Sequence, residues 1–155
     1  MKHLYIVQEV KTEAYLAENL MEGEGMGENK PKVLIVDDSA NIRKLVGVVL
    51  GKNEYELYEA SNGLEALEKA RRYSPDVMIL DMMIPGVNGI NVCKGIKNDP
   101  KTSSTSVLFL TSESSDEARE KACEAGAQVY MTKPFEPKDL RTAVKVLLSA
   151  KKQVH

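Results

Sequence analysis

The chain has 155 residues, a formal net charge of −2, and 43% hydrophobic and 28% charged residues, which is typical of one globular domain with a sizeable core. This near-neutral balance gives no reason to expect direct binding of nucleic acid or of an anionic membrane. No apolar run approaches the roughly 18 residues of a membrane span. The start, MKHLYIVQEVK, becomes polar and acidic after four apolar residues, unlike a signal peptide, so we expect a cytoplasmic protein.

Residues 1–30 differ in composition from the rest of the chain. They hold six acids and three lysines, a net charge of −3, which leaves residues 31–155 at +1. Apolar residues recur there at helical 3-4-3-4 spacing, which predicts an amphipathic helix over residues 4–21, followed by an acidic, glycine-rich linker at 21–30. This extra N-terminal helix could dock on its own domain or contact a partner or a second copy. It is also open whether translation starts at Met26, in which case the extension would have no function.

From residue 32 onward, short apolar runs alternate with helical patterns. The runs predict five strands, at residues 32–36, 55–60, 77–80, 107–110 and 127–131. The first, third and fourth runs are continuously apolar, which is typical of central strands in a parallel sheet that is covered on both faces. The second run alternates apolar and polar residues, as an exposed edge strand does.

Helical periodicity follows each of these strands. It predicts helices at residues 42–50, 64–72, 90–97, 114–125 and 137–148. Ser114 and Glu117 are spaced as a capping box at the start of the fourth helix, and Pro137 suits the first turn of the fifth. Five βα units in series predict a doubly wound α/β fold over residues 31–150, with a five-stranded parallel sheet in the order 2-1-3-4-5 and a short tail at 151–155.

Polar side chains follow four of the five predicted strands. In a doubly wound sheet, ligands bind beyond the carboxyl ends of the strands, near the switch point in strand order. The side chains expected in that crevice are Asp37 and Asp38 after the first strand, Asp81 after the third, Thr111 and Ser112 after the fourth, and Tyr130 and Lys133 at the fifth.

Three carboxylates in one crevice stay ionised together only if cations join them. Two like charges 4 Å apart repel by about 4 kcal/mol at an effective dielectric constant near 20. Lys133 supplies one positive charge, and oxygen ligands without nearby His or Cys favour Mg²⁺ as the second cation. A magnesium ion, a lysine and a hydroxyl facing a carboxylate are what phosphoryl transfer to that carboxylate requires, with Asp81 as the nucleophile.

Four segments of the sequence carry a resemblance to a known family. They are VDDS, ILDMMIPGVNG, FLTSE and YMTKPF, which occur in this order at the ends of the expected strands. Each segment alone is a weak signal, but the four in register are specific. Over residues 32–150 the chain resembles the receiver domain of bacterial two-component response regulators, which has the flavodoxin-like (βα)5 fold.

The resemblance implies a role for each matching residue. Asp81 is the expected phosphoacceptor, and Asp38, Asp81 and the Met83 backbone carbonyl are the expected Mg²⁺ ligands, with Asp37 acting mainly through a metal-bound water. Lys133 is expected to bind a phosphoryl oxygen and to precede a cis peptide bond to Pro134. The implied switch pairs Thr111, which moves towards the phosphoryl group, with Tyr130, which turns inward and alters the face formed by the last two helices and the fifth strand.

The expected partners are proteins. A sensor histidine kinase or a histidine phosphotransfer domain would donate the phosphoryl group, and a downstream target or a phosphorelay component would read it. Because about five residues (KKQVH) follow the last predicted helix, we expect a single-domain regulator. A dimer through the N-terminal helix or the switch face is also open.

Two other classes of protein compete with this interpretation. A Mg²⁺-dependent phosphohydrolase with an Asp nucleophile usually has a second acid two residues later as general acid, but Met83 stands there. An apolar residue at that position would also slow attack of water on the phosphoryl group. A flavodoxin-like cofactor binder needs a phosphate-binding first loop, which Asp37 and Asp38 would repel. Cys93 and Cys123 are not spaced as a metal or redox pair, and we expect both to be buried thiols.

Overall fold

A computed structural model describes residues 29–151 with their side chains, and residues 4–6 and 152 by their backbone. The elements in chain order are β1 (Leu4–Ile6), β2 (Lys32–Val36), α1 (Ala40–Leu50), β3 (Glu56–Ala60), α2 (Gly63–Tyr73), β4 (Val77–Leu80), α3 (Gly89–Asn98), β5 (Ser106–Thr111), α4 (Asp116–Glu124), β6 (Val129–Thr132) and α5 (Pro137–Lys152).

Strands β2 to β6 form a parallel sheet in the order β3-β2-β4-β5-β6. This confirms the predicted order 2-1-3-4-5 and the prediction that the alternating second strand of that set lies at an edge. Each parallel strand is followed by a helix, so the carboxyl ends of the strands meet at one edge of the sheet. That edge is where the polar side chains follow the apolar runs.

The predicted helix over residues 4–21 is wrong at its start. Leu4–Ile6 is a strand that pairs antiparallel with β6 and makes the sheet six-stranded. Tyr and Ile favour extended backbone, and an unpaired edge such as that of β6 offers hydrogen-bonding groups that a short helix cannot use. Residues 7–21 of the predicted helix, and most of the predicted linker, lie outside the described residues.

Two apolar cores sandwich the sheet. One face packs under α2, α3 and α4 and buries, among others, Leu34, Leu80, Phe109 and Tyr130. The opposite face packs under α1 and α5 and buries, among others, Ile35, Ile79 and Leu108. Because alternate residues of the central strands enter opposite cores, residues 33–36 of β2, all of β4 and residues 107–110 of β5 are continuously apolar. The strand ends that carry the polar residues are thereby held rigidly.

Local capping explains where the helices begin. A side-chain oxygen of the preceding residue accepts from a backbone N–H in the first turn at the starts of α1, α2, α3 and α4, the caps being Ser39, Asn62, Asn88 and Ser115. The cap of α4 is therefore Ser115 and not Ser114, so the predicted capping box is wrong by one residue. Helix α5 begins at Pro137, as predicted.

The prediction that both cysteines are buried is correct for only one of them. Cys93 is buried, as expected, whereas Cys123 is exposed. Burial raises the pKa of the Cys93 thiol to about 11 despite the nearby charge of Lys97.

Among the described helices, none combines the length and the apolar character that a membrane-spanning helix needs.

Candidate functional site

Three carboxylates come together beyond the carboxyl ends of β2 and β4. Asp37, Asp38 and Asp81 each place one carboxylate oxygen within 4.8 Å of the others, with Asp37 and Asp81 buried and Asp38 exposed. Backbone hydrogen bonds fix this arrangement, since the Asp81 N–H donates to Val36 O (3.0 Å) and the Asp37 N–H donates to Ala60 O (3.1 Å). The acid cluster, as we call these three residues, is thus positioned by the sheet itself.

Lys133 joins the two buried members of the acid cluster. Its Nζ lies 2.7 Å from Asp37 Oδ2 and 3.1 Å from Asp81 Oδ2. Burial alone would lower the pKa of Lys133, but the hydrogen bond to Asp37 and the charges of Asp81 and Asp37 outweigh it and raise that pKa. Lys133 is therefore a fixed ammonium group at neutral pH.

Further groups hold Asp37 in place. The Ser39 N–H donates to Asp37 Oδ1 at 2.9 Å, and Arg43 donates from its guanidinium to the Asp37 backbone carbonyl at 2.8 Å. Sequence reasoning assigned neither residue to the site. Ser39 could have been found from the helix cap that follows the acid pair, whereas Arg43 has no local signal, because its partner is a backbone oxygen.

The charge and chemistry of the acid cluster suit a divalent hard cation. Three carboxylates and one ammonium group leave a formal charge of −2, and Asp38 is exposed and so accessible to an ion from solvent. An all-oxygen donor set without His or Cys is the type that binds Mg²⁺. The residues present therefore fit Mg²⁺, and Asp37, Asp38 and Asp81 are the side chains that would hold it.

The loop after β4 is held by close backbone packing. The Met83 N–H donates to Asp81 Oδ1 at 3.2 Å, and the Gly89 N–H at the start of α3 donates to Met82 O at 2.9 Å. A Cβ on Gly89 would lie 2.5 Å from Asp81 O and 2.6 Å from Met82 Cα, which no side chain could tolerate without a backbone shift. Gly89 thus permits the approach of α3 to the acid cluster, a role that the sequence did not reveal.

Met83 extends away from this loop. Its side chain is among the most exposed large hydrophobic groups of the described residues, at 67% exposure. It lies two residues after Asp81, so the loop presents an apolar group rather than an acid there.

Thr111 and Tyr130 are linked through residue 113. The Glu113 N–H donates to Thr111 Oγ1 at 3.3 Å, and the Tyr130 hydroxyl donates to Glu113 O at 2.7 Å. Both predicted switch residues are fully buried, so Tyr130 points inward in this structure. Burial, followed by the charge of Glu113, raises the pKa of the Tyr130 phenol to about 12, so that it remains a hydrogen-bond donor at neutral pH.

The end of β6 brings Lys133 to the same place. The Lys133 N–H donates to Thr111 O at 2.8 Å, and the peptide bond from Lys133 to Pro134 is cis. Strands β5 and β6 pair in register, Thr111 opposite Thr132, so Thr111 and Lys133 are neighbours across the sheet edge. The structure therefore brings the acid cluster, Thr111 and Lys133 together at one edge of the sheet, with Tyr130 linked to Thr111 through residue 113.

A family model for the response regulator receiver domain matches residues 33–145. This span holds the five parallel strands except Lys32 and includes the acid cluster, Thr111, Tyr130 and Lys133.

Curated relatives agree with this match. The chain is 38% identical over 120 residues to the transcriptional regulatory protein ResD of Bacillus subtilis, covering 77% of this chain and 49% of ResD. It is 36% identical over 117 residues to the phosphate regulon transcriptional regulatory protein PhoB of Escherichia coli, covering 76% of this chain and 51% of PhoB. The chain thus spans about half the length of the curated relatives it matches.

Solved structures show the same likeness over nearly their whole length. The chemotaxis protein CheY4 of Vibrio cholerae superposes with a TM-score of 0.72 at 34% identity, covering 77% of this chain and 99% of that one. A response regulator described as putative from Chloroflexus aurantiacus gives a TM-score of 0.73 at 36% identity, with 77% and 99% coverage. The BeF3-activated DrrB receiver domain gives 0.71 at 35% identity, with 77% and 98% coverage. With its fold, acid cluster and family match in agreement, this chain belongs to the response regulator receiver domain family.

Proposed function

We propose that Asp81 accepts a phosphoryl group, in a Mg²⁺-dependent reaction, from a sensor histidine kinase or a histidine phosphotransfer domain. Receiver domains of this family act in two-component systems, interact with histidine kinases and generally bind Mg²⁺ at an acidic pocket. They are phosphoacceptor signalling proteins rather than classical enzymes. What is specific to the proposal is the assignment of individual residues of this chain.

The observation that carries the proposal is the contact of one ammonium group with two buried carboxylates. Lys133 Nζ bridges Asp37 and Asp81, and Asp38 completes the acid cluster on the solvent side. Of these carboxylates, Asp81 alone follows the central strand β4. We assign it as the nucleophile for that reason, with Asp37, Asp38, Asp81 and the Met83 backbone carbonyl as the Mg²⁺ ligand set.

The reaction is a displacement at phosphorus. A carboxylate oxygen of Asp81 forms a bond to phosphorus, the bond from phosphorus to the donor's imidazole nitrogen breaks, and its electron pair stays on that nitrogen. Bound Mg²⁺ would neutralise negative charge on the phosphoryl oxygens. Lys133 would contact one of these oxygens, and the Thr111 hydroxyl would donate to another, so that chain groups stabilise the charge of the transition state. The same site would remove the group slowly by attack of water.

The switch that we propose connects this site to a surface. Thr111 and Tyr130 both contact residue 113, so a movement of the Thr111 hydroxyl towards a phosphoryl group changes the support of the Tyr130 hydroxyl. Tyr130 lies on β6, between α4 and α5, and we call the surface formed by α4, β6 and α5 the output face. A local charge change would thereby bias two arrangements of this face.

Phosphorylation of Asp81 would be read at the surface of the receiver domain. We propose that the output face binds a target protein or that the phosphoryl group is relayed onward. The two versions differ in whether the group leaves Asp81 for a histidine.

The test is a phosphorylation measurement. With Mg²⁺ and acetyl phosphate, the intact mass of the protein should rise by one phosphoryl group, whereas Asp81→Asn, a near-isosteric change, should not be labelled. The matched control is Asp116→Asn on the exposed start of α4, which should be labelled like the parent chain. Equal labelling of Asp81→Asn would disprove the assignment of the phosphoacceptor.

A Mg²⁺-dependent phosphohydrolase is the alternative that this measurement also addresses. It predicts continuous release of inorganic phosphate from a phosphomonoester with no lasting mass increase, whereas the proposed acceptor retains the group on Asp81.

A further inference from the structure

Strand β1 lies on the strand that carries the proposed switch. Leu4, Tyr5 and Ile6 pair antiparallel with Met131, Tyr130 and Val129, respectively. On its other side β6 pairs with β5, and it leads directly to Lys133. The outer edge of β6, which is the centre of the output face, is therefore occupied by this chain's own N-terminal segment.

An edge strand is a docking site for extended segments. Its outward N–H and C=O groups are unpaired and will accept another strand, which is how several protein families bind extended peptides. In this sheet β1 satisfies those groups along Val129–Met131, since it is paired there residue by residue. A partner that adds a strand to β6 would have to displace β1 first.

The direction of β1 suits an intramolecular connection. Because it runs antiparallel to β6, Ile6 lies beside Val129 at the start of β6, which is the end of the sheet where β2 also begins. Four strand spacings separate β1 from β2, or about 19 Å at about 4.8 Å each. Residues 7–31 provide 25 residues for this distance, and one residue spans up to about 3.3 Å.

We propose that residues 4–6 are a built-in cap on the outer edge of β6, occupying within the same molecule the place where an extended segment of a partner protein would add to the output face. The β1–β6 pairing is observed independently of any phosphorylation of Asp81, and only the name output face rests on the proposed function. Because residues 7–31 join the cap to the rest of the domain, its effective concentration at the edge of β6 is in the millimolar range. Even a three-residue strand can therefore compete with dilute partners.

The first test is residue-resolved amide exchange of β6 by NMR, without any phosphodonor. Alternate amides of β6 face away from β5, and in a chain lacking residues 1–6 these should exchange at least about tenfold faster, while the amides that donate to β5 stay protected. The double substitution Tyr5→Pro and Ile6→Pro should have the same effect, because proline has no backbone N–H to donate. The N–H groups of adjacent strand residues point to opposite sides of the strand, so one of the two removed groups faces β6. Tyr5→Thr with Ile6→Val keeps both donors and should preserve slow exchange. Unchanged exchange in the deleted chain would overturn the cap.

The second test shows whether the edge accepts a segment in trans. A synthetic peptide of residues 1–10, MKHLYIVQEV, at about 1 mM should slow exchange of the same amides in the deleted chain and have no effect on the full chain. Absence of an effect on the deleted chain would contradict a docking edge.

A third measurement distinguishes pairing of β1 with β6 within one chain from pairing between two chains. If the cap is intramolecular, light scattering should give a monomer mass, and β6 exchange should not depend on protein concentration. A dimer mass together with concentration-dependent protection would assign β1 to a second copy and overturn the intramolecular cap. Labelling by acetyl phosphate is measured separately, so failure of Asp81 to become phosphorylated leaves these outcomes unaffected.

Discussion

Lys133 contacts Asp37 more closely than it contacts Asp81, with Nζ–Oδ2 distances of 2.7 and 3.1 Å. Without a metal ion, its ammonium group is therefore the cation that keeps the two buried carboxylates together. The pKa of Lys133 is raised in the folded protein, and a raised lysine pKa stabilises the folded state at every pH below the ordinary lysine value, which includes neutral pH. This gives Lys133 a structural role in addition to its proposed role in phosphoryl transfer.

Lys133→Met should separate these two roles. In metal-free buffer the free energy of unfolding should fall by about 1–3 kcal/mol, because charge-assisted hydrogen bonds to two buried carboxylates are lost. Saturating Mg²⁺ should restore part of that loss, since the ion replaces the missing positive charge. Phosphoryl uptake from acetyl phosphate should nevertheless remain at least about tenfold slower than in the parent chain. Denaturant unfolding and intact mass measure the two effects.

The control is Lys94→Met, which removes an exposed lysine of α3. It should change neither the stability nor the uptake rate. A Lys133→Met protein that takes up the phosphoryl group at the parent rate would exclude Lys133 from the chemistry and leave it only the structural role.

Asp38 should contribute to Mg²⁺ binding with little effect on folding. It is the exposed member of the acid cluster, so Asp38→Ala leaves no buried group without a partner. A ligand that binds the folded state at about 100 times its Kd stabilises it by about 2.7 kcal/mol. The parent chain should gain stability of this kind as Mg²⁺ is added, and Asp38→Ala should gain much less at the same concentrations. Thermal unfolding over a Mg²⁺ titration measures this.

Glu68→Ala, which removes an exposed acid of α2, is the matched control and should respond to Mg²⁺ like the parent chain. If Asp38→Ala also responded fully, the ion would have to bind elsewhere.

Gly89→Ala should damage both the fold and the site. Its Cβ would meet backbone atoms of Asp81 and Met82 at 2.5 and 2.6 Å, so either α3 or the loop after β4 has to move. Overpacking of this kind typically costs about 1–3 kcal/mol, and we expect a loss in that range with slower phosphoryl uptake. Gly47→Ala on α1 is the matched control, because its Cβ would make an ordinary 3.7 Å contact with Leu57. It should leave uptake unchanged and stabilise the protein by about 0.5–1 kcal/mol. Equal effects of the two substitutions would show that the approach of α3 is not constrained at Gly89.

The strand order and the acid cluster could be predicted from sequence, whereas the role of Gly89 could not. The strand order followed from continuous apolar runs separated by helical periodicity, because that pattern has few solutions in three dimensions. The acid cluster followed from the same topology, since parallel strands end at one edge. Close approaches such as that of Gly89 to Asp81 have no local signature, because they depend on the distance between two segments of backbone.

The N-terminal strand shows a second limit of prediction from the local sequence. The 3-4 spacing after residue 6 favoured a helix over residues 4–21, and local periodicity cannot report that an unpaired edge of β6 is available to Leu4–Ile6. A three-residue strand has no periodicity of its own and is specified by its partner. The same holds for Arg43, whose contact with the Asp37 backbone carbonyl depends on how α1 turns over β2.

Met83 should control how long the phosphoryl group stays on Asp81. Its exposed side chain lies two residues after Asp81, the place where Asp-nucleophile phosphohydrolases usually carry a general acid. Met83→Glu introduces a group that can orient water and transfer a proton, so the half-life of the phosphorylated protein should fall by at least about tenfold, within the range of general acid–base catalysis. Met83→Leu keeps an apolar side chain and should retain a long half-life. Both variants should fold like the parent chain, because the side chain is 67% exposed. The decay of the phosphorylated mass after removal of acetyl phosphate gives each half-life. Equal half-lives for the Glu and Leu variants would mean that water reaches Asp81 by a route that does not pass residue 83.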